Sequence, residues 1–485
     1  MTKVATIPLG EWLPSAPTFE NPGCEVADNC IPTTRGYGPI RSLDDTGDNT
    51  TEQVYGAQQF YDSNQDSVIV AGSDTRLIKR TSSALTETTG LSSIGTGEAW
   101  DFAQFNNFLF ATANGNSPQY LANINTDTTF ASVPGSPPSA KRCAKVGEFL
   151  VLGNISGAPN RIQWSSYNNP AGSWAVDRLT QSGFADLDTA GGAVQRIIGG
   201  RYALIFLERA ILRMVYVGPP SVWSLPEVTT DRGTTAPFSV VNVGFLTYFL
   251  AQDGFYVTNG SQVEPIGTQR VNSWFFENVN QAFISEVHGA VDWQNECIFW
   301  VFRSTGDGYD RALIYSWAQQ RWSSGTFQTG WLVGANKDAV DIDSLDAIYG
   351  NIDAIPYSLD DPRFLAGERR LAMFDVDRNY QTFSGTPLEA TWETGAFQPS
   401  PGQRVMASEA RPIMEANSWD ARMTLYMWDN MGMFSASAER PTGFAGFSPI
   451  RGEGNRIGVR MRKPGGTDWS EAQSVQVRYQ EAGFR

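Results

Sequence analysis

The sequence has one histidine in 485 residues, four cysteines and no long apolar run. The histidine, His288, is the only candidate base for a Ser–His–Asp or Cys–His arrangement. The sequence also has no GxxxxGK phosphate loop and no HExxH zinc motif. We therefore predict a protein that is not an enzyme and that has no catalytic residues, cofactor or metal.

The four cysteines offer little material for a metal site. Cys143 and Cys297 lie in predicted strands, where cysteine behaves as a small core residue. Cys24 and Cys30 are the only two that are close enough in sequence to pair. A structural zinc ion takes four ligands, and two cysteines with one distant histidine do not supply them.

Apolar runs are short throughout the chain. One of the longest, Tyr202–Leu207, stops at Glu208, well before the roughly 18 residues of a membrane-spanning helix. The N-terminal segment MTKVATIPLGEWLPSAPTFENPG has one lysine and no continuous apolar stretch, which is unlike a signal peptide. We therefore expect a soluble protein that is synthesised in a cytoplasm and carries no membrane anchor.

Basic residues are outnumbered by acidic ones, 36 to 51, which gives a net charge of −15. The excess falls on residues 1–385, with 25 basic and 40 acidic side chains, whereas residues 386–485 have eleven of each. Tight binding of nucleic acid needs surplus lysine and arginine. The acidity is compatible with DNA that passes without specific binding, and equally with a charge that only maintains solubility.

The sequence does contain a repeated strand-and-turn unit. In its clearest copy, residues 286–325, three runs rich in β-branched and aromatic residues are separated by turn-forming clusters, and the unit ends near Trp322. The closing strand recurs six times, so that seven copies start at Arg76, Gln119, Arg161, Ala210, Gly254, Arg311 and Arg370. Each is preceded by a more apolar run: Ser67–Val70, Phe108–Ala111, Phe149–Leu152, Ala203–Leu207, Leu246–Leu250, Cys297–Phe302 and Asp346–Tyr349. The spacing of these starts is close to the period of known propeller repeats, and it predicts an all-β protein with a β-propeller of six to eight blades, with seven as the best match.

The rhythm of the sequence changes after Gly385. The strands become longer and alternate more cleanly, as in residues 422–427, where Arg, Thr and Tyr alternate with Met, Leu and Met. This pattern is typical of an antiparallel β-sandwich. We therefore divide the chain into an extended N-terminal arm over residues 1–35 that wraps along the outside of the ring, a β-propeller over residues 36–385 and a C-terminal β-sandwich over residues 386–485.

Four segments carry a resemblance to a known family: ENPGCEVADNCIPTTRGYGPI, AQDGFYVTNGSQVEPIGTQRVNSWFF, YSLDDPRFLAGERRLAMFD and RIGVRMRKPGGTDWSEAQSVQVR. Together they resemble the tail-hub, or packaged-DNA-stabilisation, proteins of short-tailed bacteriophages. The resemblance implies a structural virion protein of the tail that forms a hexameric ring, or nozzle, below the portal and its adaptor. Such a head–tail connector continues the DNA channel, helps to retain packaged DNA, and carries tail fibres, spikes or a plug.

Two groups of residues follow from this interpretation as candidate sites. The acidic residues of two loops are candidates for the channel lining: Asp341, Asp343, Asp346, Asp360 and Asp361. The basic residues of one predicted strand are candidates for an assembly interface through which the sandwich meets an acidic neighbour: Arg456, Arg460, Arg462 and Lys463.

Two other functions stay open at this point. The paired carboxylates of the acidic loops are the kind that glycosidases use, so the chain could be a propeller glycosidase or polysaccharide depolymerase. A monomeric propeller that binds one protein partner is the other alternative. Acidic residues in loops between strands more often form turns or face solvent than act as catalysts.

Overall fold

The computed structural model describes residues 2–19, 21–82, 84–306, 308–336, 369–416 and 420–482. Strands account for 53% of the structure and helices for 4%, which confirms the all-β prediction. The helices in the described part are one α-helix, α1 (Asn272–Asn278), and three 3₁₀ helices, Thr189–Gly191, Pro237–Ser239 and Gln281–Glu286.

The chain begins with five strands that precede the first blade. They are β1 (Lys3–Pro8), β2 (Cys24–Asp28), β3 (Cys30–Pro32), β4 (Tyr37–Pro39) and β5 (Asp44–Asn49). None of the five pairs with the blade that follows in sequence. Their partners lie either among themselves or at Ser324 and beyond, in the last third of the chain.

Six four-stranded antiparallel units follow in chain order, and each forms one blade. Blade one consists of β6 (Val54–Tyr61), β7 (Ser67–Ser73), β8 (Leu77–Arg80) and β9 (Leu85–Thr88). Blade two consists of β10 (Asp101–Phe105), β11 (Phe108–Thr112), β12 (Gln119–Leu121) and β13 (Ala131–Ser132). Blade three consists of β14 (Ala140–Val146), β15 (Phe149–Ile155), β16 (Ala158–Trp164) and β17 (Gly183–Asp186). Blade four has β18 (Val194–Ile198), β19 (Ala203–Leu207) and β20 (Ile211–Gly218), and its outer position is shared by β21 (Val222–Ser224) and β22 (Glu227–Thr229). Blades five and six consist of β23 (Val241–Val243), β24 (Leu246–Ala251), β25 (Gly254–Thr258) and β26 (Val263–Pro265); and β27 (His288–Asp292), β28 (Cys297–Phe302), β29 (Tyr309–Ser316) and β30 (Arg321–Thr329).

The seventh blade closes the ring with a strand from the other end of the propeller. Its own strands are β31 (Trp331–Asn336), β32 (Arg369–Phe374) and β33 (Asn379–Thr382), and its outer strand is β5, which pairs antiparallel with β33. Closure of this kind removes an open sheet edge. The prediction of seven blades is confirmed.

The apolar runs predicted from the sequence coincide with the second strand of a blade in six cases. The second strand has a blade strand on each side and neighbouring blades above and below, so nearly all its residues are buried. The seventh predicted run, Asp346–Tyr349, lies outside the described residues. Trp322, expected at the end of the clearest repeat, is fully buried in β30 and donates its indole N–H to Ile266 O at 3.1 Å.

The C-terminal part is a sandwich of two sheets, as predicted. Its strands are β34 (Ala390–Thr394), β35 (Val405–Ala416), β36 (Arg422–Trp428), β37 (Phe434–Ala436), β38 (Arg440–Pro441), β39 (Gly452–Gly454), β40 (Arg456–Lys463) and β41 (Trp469–Glu481). One sheet has the order β3-β4-β41-β35-β39 with β1 also on β41, and the other contains β2-β34-β40-β36-β37. The indoles of Trp392 and Trp469 meet edge to face between the sheets at 5.5 Å.

The N-terminal strands tie the sandwich to the propeller. Residues 1–35 were expected to form an arm along the outside of the ring, but β1, β2 and β3 lie within the two sheets of the sandwich. β2 pairs with β34 on one side and with β30 of blade six on the other, so a single ten-stranded sheet runs from the propeller into the sandwich. One hydrophobic core contains Trp12, Trp322 and Trp392, which belong to the N-terminal segment, the propeller and the sandwich respectively.

Candidate functional site

The propeller axis carries two cavities separated by two aromatic side chains. The short helix Pro237–Ser239 connects blades four and five and brings Phe238 to the axis, where its ring meets Trp331 edge to face at 5.2 Å. Both side chains line a cavity of roughly 610 Å³ on one side and a cavity of roughly 700 Å³ on the other. Phe238 and Trp331 therefore divide the space along the axis into two chambers, which we call the first and the second axial cavity.

A buried charge cluster lies beside the second axial cavity. Asp101 is 2% exposed and accepts a hydrogen bond from Arg196 Nη1 at 2.5 Å and one from the backbone N–H of Cys143 at 3.3 Å. Arg142, also buried, donates from Nε to Gln195 O at 2.6 Å, and burial lowers its pKa from the ordinary arginine value. Asp101 pairs directly with Arg196 only, whereas Arg142 is held by backbone carbonyls and senses Asp101 as a nearby charge. Two guanidinium groups beside one carboxylate leave the cluster with a net positive charge.

The ring of Phe238 covers this cluster. The guanidinium carbons of Arg142 and Arg196 lie 4.8 and 4.9 Å from its centroid. Cations over an aromatic face are stabilised by the ring quadrupole, more strongly where water is excluded. The arginines therefore hold Phe238 at the axis, and the cluster acts as a structural support for the partition.

The first axial cavity contains a carboxylate with a shifted pKa, that of Glu286. Glu286 accepts from Arg303 Nη2 at 2.8 Å, and both side chains are largely buried. Burial raises the pKa of Glu286, and the neighbouring charge of Arg303 opposes that change. Asp74 and Glu98 line the same cavity. A carboxylate with a raised pKa in a cavity is a common feature of binding and catalytic sites, although structural ion pairs share it.

His288 does not act as an accessible base in this arrangement. It is 1% exposed, its ring stacks on Trp331 at 4.2 Å, and its Nε2 accepts a hydrogen bond from the backbone N–H of Leu332 at 3.2 Å. Burial lowers its pKa to about 3. The imidazole is therefore neutral at physiological pH and positions the first residues of blade seven.

The cysteines do not form a disulfide or a reactive site. All four are buried free thiols, including Cys24 and Cys30, the two that sequence spacing would allow to pair. Burial raises the pKa of Cys24 to about 12, so the reactive thiolate is scarce at neutral pH. Among the described residues, no three His, Cys, Asp or Glu side chains are grouped as metal ligands would be.

The basic residues predicted as an assembly interface lie on β40, but on two different faces. Arg456, Arg460 and Arg462 point outwards, whereas Lys463 is fully buried and donates to Thr467 Oγ1 at 2.7 Å. Successive side chains of a strand point to opposite faces, so Lys463 lies on the face opposite that of the three arginines.

The three arginines already have partners within the chain. Arg460 lies 3.2 Å from Glu393, and Arg462 forms ion pairs with Glu389 at 3.0 Å and Glu439 at 2.6 Å. The guanidinium of Arg456 lies 4.4 Å from the ring of Phe19. An acidic neighbour would therefore compete with intramolecular carboxylates, which reduces the charge available for assembly.

The acidic residues predicted to line a channel lie outside the described residues: Asp341, Asp343, Asp346, Asp360 and Asp361. The structure instead draws attention to Phe238, Trp331 and the cluster of Asp101 with Arg142 and Arg196. Sequence reasoning missed them because they come from blades two, three, four and seven and from the connection between blades four and five, and no local motif joins them. A signal was present only for Trp331, a large aromatic residue at the start of an apolar run.

Comparison with known proteins finds no relative by sequence and a remote likeness to solved structures. No protein family and no curated protein sequence matches the chain. Among solved structures, YCF48 bound to a D1 peptide is 12% identical with a TM-score of 0.35, over 61% of this chain and 86% of that chain. The extracellular domain of a hybrid two-component system protein from B. thetaiotaomicron is 11% identical with a TM-score of 0.37, over 81% of this chain and 44% of that chain, so this chain spans less than half of its length.

Membrane association through a helix finds no support in the part of the chain that the structure describes, where no helix is both long and apolar enough to cross a bilayer. The strand pairing itself defines the seven blades of the closed ring and the attached sandwich. The chain is a β-propeller protein with a C-terminal β-sandwich.

Proposed function

We propose that the chain is a structural virion protein of a bacteriophage tail: a ring-forming hub, or nozzle, that extends the portal–adaptor DNA channel. In this role it helps to retain packaged DNA and carries fibres, spikes or a plug. The expected assembly is a homo-hexamer in the virion tail, built from chains synthesised in the host cytoplasm. No enzymatic activity and no cofactor are part of the proposal.

The observation that carries the proposal is the position of the segments that resemble tail-hub proteins. Three of the four contribute to one hydrophobic core: Cys24 from the first, Phe255 and Phe275 from the second, and Ile457 and Val475 from the last. The first and last segments lie near opposite ends of the chain, yet they pair directly, at Tyr37 and Ala472. If the chain has the architecture of that family, the segments that resemble it are expected to pack together in one core.

The way the parts are connected suits a load-bearing role. Blade six, β2 and the sandwich share one continuous sheet, so a force on the sandwich is transmitted to the propeller through backbone hydrogen bonds. Inter-domain joints are often mobile because their interfaces are small and polar. Here the joint is a shared core with buried tryptophans, which favours a rigid subunit.

The path of DNA in the proposed ring would lie outside the propeller axis. Phe238 and Trp331 lie across that axis, and the two axial cavities are of a size for small ligands. The genome would therefore pass along a surface that several subunits share. The excess of acidic residues in residues 1–385 favours weak contact with phosphate, since each basic contact would release counterions and strengthen binding.

One observation favours the glycosidase alternative. The raised pKa of Glu286 would suit a general acid, and Asp74 and Glu98 line the same cavity. Its ion pair with Arg303 argues against this role, because the positive charge favours the ionised carboxylate and so opposes the effect of burial. Incubation with bacterial surface polysaccharides separates the two functions: sugar release that Glu286→Gln abolishes would establish the glycosidase and overturn a purely structural role.

Assembly is the direct test of the hub. The purified chain is mixed with a portal–adaptor complex, and the mass of the product is measured by size-exclusion chromatography with light scattering. We expect six copies per complex and a ring below the adaptor in electron micrographs. A chain that stays monomeric at every concentration and salt, with no ring beside the portal–adaptor complex, would contradict the proposal.

A further inference from the structure

An aromatic pocket lies between blades three and four and shares no residue with the two axial cavities. Its volume is roughly 610 Å³, within the range of ligand-binding pockets. Five aromatic side chains line it: Phe149, Tyr167, Tyr202, Tyr216 and Trp223. Neither the candidate tail-hub role nor the axial cavities account for this concentration of rings.

The rings are held in fixed positions by one another. Phe149 is 1% exposed and meets Tyr167, Tyr216 and Trp223 at centroid distances of 5.5, 5.7 and 5.1 Å. Tyr216 also donates its hydroxyl to Gln181 Oε1 at 2.8 Å. Tyr167 and Tyr216 are 48% and 41% exposed, so their outer faces reach solvent. The pocket is therefore a preformed aromatic surface with a buried base.

Two arginines at the pocket, Arg213 and the exposed Arg201, have no carboxylate partner among the residues that the structure describes. The guanidinium of Arg213 lies 4.5 Å from the ring centroid of Tyr202, and its Nε has no hydrogen-bond acceptor. The indole N–H of Trp223 also lacks an acceptor. Glu148 is the one acidic side chain in the lining, so the pocket carries a net positive charge on a protein that is acidic as a whole.

We propose that this pocket binds an acidic saccharide, namely an oligosaccharide that contains hexuronic acid. The apolar C–H face of a pyranose ring is complementary to the negative face of an aromatic ring, and its hydroxyl groups can accept from the free indole N–H. The planar guanidinium binds a carboxylate through two parallel hydrogen bonds. A neutral apolar ligand would leave the arginines unused, and a single carboxylate at the pocket offers no pair for glycoside hydrolysis.

The inference goes beyond the tail-hub proposal and does not depend on it. The pocket would bind a surface polysaccharide through one or two of its sugar residues and would catalyse no reaction. The alternative occupant is a single-stranded nucleic acid, whose bases also stack on aromatic rings. The acidity of the chain opposes that occupant over a longer strand, and the test separates the two.

Isothermal titration calorimetry of the full chain with trigalacturonate tests the inference. We expect saturable binding that weakens at about 0.5 M salt, where charges are screened over a few ångströms. The methyl-esterified trisaccharide, which has the same rings without the charge, should bind at least about tenfold more weakly. Equal affinity for the two sugars, no binding at millimolar concentration, or stronger binding of a short oligothymidylate would overturn the inference.

Variants assign the binding to the pocket. Arg213→Met should weaken trigalacturonate binding by about tenfold or more, and Arg201→Gln, which changes an exposed side chain and leaves the fold intact, by a smaller factor. Arg178→Met removes an exposed arginine of blade three that lies outside the pocket and serves as the matched control. Unchanged affinity in both pocket variants, or an equal loss in Arg178→Met, would contradict the assignment.

Discussion

Arg321 holds the N-terminal segment against blade six, and its replacement by methionine is expected to release that segment. Its Nη2 donates to Gly10 O at 2.5 Å and to Leu9 O at 3.3 Å, and its Nη1 donates to Thr33 O at 3.3 Å and more weakly to Gly36 O at 3.5 Å. One guanidinium thus accepts no hydrogen bond itself but donates to carbonyls that precede β2 in the sequence and to carbonyls that follow it. Methionine keeps most of the apolar stem and removes every one of these donors.

The size of the effect follows from the hydrogen bonds that are lost. A hydrogen bond to a charged group contributes about 1.5–3 kcal/mol, and a buried carbonyl left without a donor adds a desolvation cost. One bond here is short and the others are long, so we expect a local loss of about 3 kcal/mol. That loss corresponds to roughly a 100-fold increase in the population of the opened segment, at about 1.4 kcal/mol for each factor of ten.

Native-state hydrogen exchange measures this opening segment by segment. In Arg321→Met, amides of β1 and β3 are expected to exchange roughly 100-fold faster, while those of blades two to four keep their rates. In Arg321→Lys, the exchange rates of these amides should lie between those of the unmodified chain and those of Arg321→Met, because one ammonium group cannot donate to all of these carbonyls at once. Arg311→Met, which removes one exposed hydrogen bond to Thr326 on the same sheet, is the control. Less than a threefold change in β1 and β3 would refute the reasoning.

Four further predictions concern pH, the axis, the sandwich and DNA ejection. The pKa of His288 is about 3 in the folded chain and about 6.5 when unfolded. The free energy of unfolding should therefore be independent of this histidine above pH 6.5 and fall by about 2 kcal/mol towards pH 5, as the unfolded chain takes up the proton. In His288→Gln, the free energy of unfolding should not show this decrease on acid titration. Phe238→Ala should lower the free energy of unfolding by about 2 kcal/mol and shift the tryptophan emission to the red, whereas unchanged emission would argue against the partition. Deletion of residues 386–485, which on sequence alone should leave a folded propeller that fails to join virions, should expose the shared core and destabilise blade six in proteolysis; a fully protected blade six would contradict a shared core. Lysine in place of the candidate loop acids Asp341, Asp343, Asp346, Asp360 and Asp361 should slow genome ejection measured by dye release while assembly stays intact, and unchanged release would mean that the acidity serves solubility alone.

The sequence by itself determined the class of the fold and the number of blades. Strand alternation and turn residues are local properties, so the repeat of residues 286–325 and its six weaker copies could be recognised without knowing what each strand contacts. The change to longer strands after Gly385 indicated the sandwich for the same reason. The burial of Trp322 also followed from its position at the end of a repeat.

The tertiary structure alone decided which distant strands complete each sheet and which side chains meet at the sites. β5 closes blade seven although all six other blades lie between them in sequence, and β1 to β4 enter the sandwich although no local pattern distinguishes them from an extended arm. Asp101 and Arg196 are 95 residues apart and become partners only because the inner strands of blades two and four, β10 and β18, both face one axis. The aromatic pocket is likewise formed by turns and strands of two blades, three and four. Backbone alternation specifies a strand, but the partner of that strand is selected by the burial and hydrogen bonding of the whole chain, which no local stretch of sequence contains.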